Sequence, residues 1–150
     1  MTDWSDFADR LTQQVAVLPE NAVVTIGSVG WSVPYVQAQL VRPGGSVWAT
    51  FQGEPLSGAL ASFGTDPELM SEVGWQSPGN SDHGTCWWIE LPWPVSVMIH
   101  RQLASMIVTG FRDVHRIAST SALAYSAWDL EASERNIELP LLGLPLRDLP

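Results

Sequence analysis

The chain has 150 residues, 45% of them hydrophobic and 15% charged, with sixteen acidic residues against seven arginines, no lysine and a formal net charge of -9. That length fits one domain with a core of its own, and the composition is not that of a disordered chain. The acidic balance argues against nucleic acid and against an anionic membrane surface as partners, since both need a basic patch and the arginines do not cluster.

Asp3 to Leu18 predicts an amphipathic helix, because Trp4, Phe7, Leu11, Val15 and Leu18 recur at spacings of three and four. Asp3, Asp6 and Asp9 suit its positive N-terminal end, and Pro19 stops it. Ala22 to Ser28 alternates and is β-branched, which predicts a strand, with Gly27 and Gly30 marking the turn after it. Val33 to Val41 predicts a second strand. Val36, Ala38 and Leu40 lie on one face of it and Tyr35, Gln37, Gln39 and Val41 on the other. Arg42-Pro-Gly-Gly45 predicts a hairpin turn into a third strand, Ser46 to Gln52, with Val47, Ala49 and Phe51 opposite Trp48, Thr50 and Gln52.

Residues 53 to 64 read as irregular. Asp66 as N-cap and Pro67 at the first position open a short helix through Leu69, Met70 and Val73, closed by Gly74. A polar loop from Gln76 to Gly84 leads to a fourth strand, Thr85 to Leu91, broken by Pro92 and Pro94. Ser96 to Ile117 predicts the longest helix, on Ile99, Leu103, Met106, Ile107, Val114 and Ile117. Ser119 to Trp128 fits a strand or a helix, and the alternation of Leu123, Tyr125 and Ala127 favours the strand. The predicted fold is therefore α+β, in the order α-β-β-β-α-β-α-(β), with helices packed on an antiparallel sheet. Residues 1–130 form a single domain in this reading. Residues 131–150 form an extended Leu/Pro-rich tail, which docks on the domain or on a neighbour because its prolines forbid a long helix.

Chemistry is hard to assemble from these residues. Cys86 is the single cysteine, so no internal disulfide can form and a reducing compartment is expected. His83 precedes it by three positions, which along a strand puts the two side chains on opposite faces. A buried strand cysteine beside a loop histidine is the ordinary reading; a site near Cys86 and His83, for a small ligand or a reaction, is the sharper one. His100 and His115 on one helix lie about 22 Å apart at ~1.5 Å per residue, too far to share a metal. Asp113 and His115 do not face each other. Glu68 and Glu72 read as a solvated helix face. No metal or cofactor is expected: zinc spacing is missing, and neither glycine-rich turn leads into a helix or carries a lysine for phosphate. The acidic Met1-Thr-Asp opening lacks the positive charge of a signal peptide, and Val95 to Phe111 is interrupted by His100, Arg101 and Gln102, so a cytoplasmic protein is expected. Eight tryptophans are many for this length. A tryptophan-rich core accounts for them, unless some line a groove for a partner.

Several short stretches carry a resemblance. They are the opening WSDF of Trp4 to Phe7, YVQAQ of Tyr35 to Gln39, ATF of Ala49 to Phe51, LMSEVGW of Leu69 to Trp75 followed by Pro78, and ALAYSA of Ala122 to Ala127 after a long helix. In this order they resemble the actinobacterial TY-Chap family, which is related to type III secretion chaperones and YbjN. The likeness runs from about residue 3 to 128 and leaves the Leu/Pro tail outside. It implies a type III secretion chaperone-like fold and a non-catalytic module that holds a client protein or peptide, commonly as a homodimer. Tyr35 and Trp48 on strand faces and Trp88 on the fourth strand are the candidate peptide contacts, against ordinary packing in the sheet. Two other functions compete: a small-ligand binder or enzyme at Cys86 and His83, and a structural dimerisation subunit of a larger complex.

Overall fold

The first helix, α1, spans Trp4–Ala16. Asp3 caps it, its Oδ1 accepting from the Asp6 N–H at 2.7 Å. Phe7, Leu11 and Val15 form its buried stripe, as the spacing predicts. The helix stops at Ala16 and not at Leu18, yet Leu18 is still buried in the turn that follows. Asn21 then turns the chain at a positive φ of 69°, a conformation that Asn tolerates well. The computed structural model describes residues 3–29, 36–53, 67–76, 87–93, 96–131 and 137–147.

Five strands follow the alternation read above: β1 (Ala22–Ser28), β2 (Val36–Val41), β3 (Ser46–Gly53), β4 (Trp87–Pro92) and β5 (Leu123–Asp129). They make one sheet in the order β4-β3-β2-β1-β5, with every neighbouring pair antiparallel. The turn from β2 to β3 needs Gly45 at a φ of 81°, which an L side chain rarely adopts. Gly27 is a correction: it lies inside β1, paired with Gln37 on one side and Ala124 on the other, and does not mark a turn. β1, flanked by β2 and β5, is buried along its whole length. The segment 119–128 is a strand preceded by a single helical turn at Thr120–Ala122, so alternation was the informative signal there. The start of the second strand at 33–35, the cap at Asp66, the loop at 77–84 and the first residues of the fourth strand at 85–86 lie outside the described residues.

Helices α2 (Pro67–Val73) and α3 (Val97–Val108) complete the layer. Ser96 caps α3 through a hydrogen bond from the Ile99 N–H. Gly74, at a φ of 120°, ends α2, and the indole N–H of Trp75 then donates to the Met106 carbonyl at 3.2 Å, tying α2 to α3. The predicted helix to Ile117 is corrected. The α-helix ends at Val108 and widens into a π turn over Thr109–Val114. The cause is packing at Gly110, where an added Cβ would sit 2.6 Å from the Phe51 ring. The wider turn seats the backbone there while Phe111 and Val114 both stay buried.

The helices cover one face of the sheet. Phe7, Leu11 and Val15 of α1, Met70 of α2, and Leu103, Met106 and Ile107 of α3 join Val24, Ile26, Ala38, Leu40, Phe51, Trp87 and Leu123 in one core cluster. The exposed Arg101–Asp9 pair at 2.8 Å links α3 to α1 and adds little to stability. Residues 137–147 pack onto the same chain. Leu139 and Leu142 are buried in the core cluster, around a single helical turn at Pro140–Leu142. Within this segment the one helical turn at Pro140–Leu142 has Pro140 at its first position, which permits it.

Candidate polypeptide-binding face

Strand alternation puts every second residue on the face away from the helices. Register then aligns these residues into rows across the sheet. One row runs Trp128, Val23, Val41, Trp48 and Glu90, from β5 through to β4. The next runs Ser126, Thr25, Gln39, Thr50 and Trp88. Trp48 and Trp88 are thus diagonal neighbours on adjacent strands, with Cβ atoms roughly 7–8 Å apart in such a pairing. The structure brings together two of the three residues predicted to contact a peptide; Tyr35, the third, lies outside the described residues. Among the described residues, Trp128, Val23, Val41, Trp48 and Trp88 do not belong to the core cluster on the helix side.

The face is graded. Val23 and Val41 at its centre are only 3% and 4% exposed, whereas Trp48, Trp88 and Trp128 are half-buried and Glu90 is exposed. The Gln39 amide donates to the Thr25 hydroxyl at 3.4 Å, so the second row carries polar groups that partner one another. The result is an apolar strip with a broad ring at each end and an acid at its rim. Ring surface of this kind gives a partner large contact area at low entropic cost. Sequence reading missed Trp128, because its place in the row depends on β5 pairing with β1 from the far end of the chain. The tryptophans divide: Trp75 and Trp87 are core residues and Trp4 packs against the core, while Trp48, Trp88 and Trp128 lie on the other face.

At the end of the β2–β3 hairpin the Arg42 guanidinium stacks 4.1 Å over the Trp93 ring, and Trp93 in turn lies 5.5 Å from the ring of His100. His100 is 5% exposed, and among the described residues neither ring nitrogen has a hydrogen-bond partner. Burial holds its pKa below the usual histidine value. His115, against Phe51 at 5.7 Å, is pushed down to about 4 by burial. Both shifts favour the neutral ring at pH 7, and the Arg42–Trp93–His100 stack is a packing arrangement. Among the described residues, no group of three or more His, Cys, Asp or Glu side chains could hold a metal ion. Among the described residues, no helix is long and apolar enough to cross a membrane. Cys86 and His83 lie outside the described residues, so no observation favours a site there.

Among the described residues, an antiparallel sheet of five strands with three α-helices gathered on one face is an α+β arrangement consistent with type III secretion chaperones. The chain belongs to the TY-Chap3 family, described as T3SS (YopN, CesT) and YbjN peptide-binding chaperone 3, whose family model matches residues 1–129. No curated protein and no solved structure matches the chain.

Proposed function

We propose that this protein is a non-catalytic chaperone or adaptor that holds a client polypeptide against the sheet face bearing Trp48 and Trp88. The observation that supports it is the row of Trp128, Val23, Val41 and Trp48, set on the side of the sheet away from the core. Membership of a family of peptide-binding chaperones points the same way. The net charge of -9 keeps a protein with such a surface soluble and favours clients with basic flanks. Work in the cytoplasm, and pairing with a second copy, belong to the same proposal.

A library of displayed peptides selected against the whole chain tests it. Peptides are expected to be enriched, and Trp48→Ala or Trp88→Ala should each weaken their binding by about tenfold, as hot-spot tryptophans do. Peptides that bind both variants as well as the parent chain would place the client elsewhere. Failure to enrich any peptide would count against polypeptide binding itself.

A further inference from the structure

The seat of the segment 137–147 is built to receive a polypeptide backbone. Gln14 on α1 and Tyr125 on β5 are 5% and 4% exposed, and each turns a polar atom toward this segment. The Gln14 Oε1 accepts from the Leu141 N–H at 3.2 Å, and the Tyr125 hydroxyl oxygen accepts from the Leu139 N–H at 2.8 Å. The outer edge of β5 supplies the other contacts. Ala127 O accepts from the Ile137 N–H at 2.9 Å, and Tyr125 O accepts from the Arg147 N–H at 2.9 Å. Tyr125 N–H donates to the Pro145 carbonyl at 3.0 Å. Every one of these bonds ends on the segment's main chain. Side-chain recognition is limited to Leu139 and Leu142, which enter the core cluster, with Ile137 and Leu144 packed against it. Pairing is parallel at Tyr125 and Leu146, and Leu141 and Leu146 stay exposed.

We propose that the groove between α1 and the outer edge of β5 is a second polypeptide-binding site, which the chain's own residues 137–147 occupy in cis as an internal competitor. Its partner is an extended leucine-rich segment of a client, which adds to β5 through its backbone and fills the places of Leu139 and Leu142. Three observations support exchange. The seat reads main-chain groups that any non-proline residue offers. Apart from those five hydrogen bonds, the segment is anchored by Leu139 and Leu142 with Ile137 and Leu144 partly buried, so few buried side chains offset the cost of ordering its backbone. The segment also lies beyond residue 129, where the family match ends. An open β5 edge would be prone to pairing with any strand, and the tail covers it until a client arrives. The inference rests on the polypeptide-binding reading for the client, but not for the opening of the tail.

Hydrogen exchange on the unmodified chain tests the opening. The amides of Tyr125, Leu139, Leu141 and Arg147 should exchange at least about tenfold faster than those of Val24 and Ile26, with the rest of the fold unchanged. Exchange in step with Val24 and Ile26 overturns the proposal. A fluorescein-labelled peptide of sequence IELPLLGLPLR tests the site. It should bind a full-length Leu142→Asp chain at least about tenfold more tightly than the parent, because loosening the tail raises the competent fraction. Equal binding to both chains overturns the proposal, as does a dimer in which the tails cross between copies. Fast tail exchange with peptide binding, but no effect of Trp48→Ala on a client, would leave this site standing and remove the aromatic face.

Discussion

Gly110 packs so closely on Phe51 that its smallness is a condition of the fold. A Cβ there would lie 2.6 to 2.9 Å from three atoms of a ring wedged against Trp75, Phe111 and His115. Gly110→Ala should therefore destabilise by about 1–3 kcal/mol in urea denaturation, where the same change in an open helix would stabilise. Retained stability would mean that Phe51 can move. His100 and His115, two of the three histidines, give a pH dependence of known sign. The folded chain holds His115 neutral down to about pH 4, while the unfolded chain takes a proton near the ordinary value of 6.5. His100 is shifted in the same direction. Stability is thus unaffected by these rings above that value, falls as pH drops below it, and levels off for His115 below about pH 4. The urea midpoint should decrease from pH 7 to 5, and less so in His115→Gln; a flat profile would contradict the buried neutral rings. None of this was legible from spacing alone, which separates His100 from His115 but does not show what each one packs against.

At the scale of elements, the three α-helices and five strands among the described residues lie where hydrophobic patterning and, for α2, its capping residues placed them, because each has a face in a common core. Boundaries were less legible. The end of α3 depends on the fit of Gly110 to Phe51, a contact between distant parts of the chain that no local rule contains. The single turn in the tail has the same origin, since Leu142 can reach the core only if the chain coils there. α1 carries both the core stripe and one wall of the tail's seat. Leu11→Ala should cost about 2–5 kcal/mol by leaving a cavity among fully buried side chains. Asp3→Ala should cost about 1 kcal/mol, because only the Asp6 N–H loses its partner. Thermal unfolding of the two variants checks the ranking, and a larger loss for Asp3→Ala would refute this account of α1.

For the molecule as a whole, the meander of β1 to β3 was legible from the turn-forming residues between three alternating segments, and the α+β class from the order of elements. The sheet order was not, because β5 reaches β1 only after α3 has crossed the core face. The candidate site was legible in the same proportion. Trp48 and Trp88 could be named from local alternation, but Trp128 joins their face only through the β1–β5 register. The two faces of the sheet differ: one builds the core with the helices, and the other carries the half-buried rings of Trp48, Trp88 and Trp128. The most direct test places a photo-reactive side chain at position 48 in the full chain inside the cell of origin, with an equivalent chain carrying it at the exposed Gln13 of α1 as a control. The account predicts a discrete polypeptide adduct from position 48 that is missing from position 13 and lost to competition by a selected peptide. No adduct at position 48, or the same adducts at both positions, would contradict it.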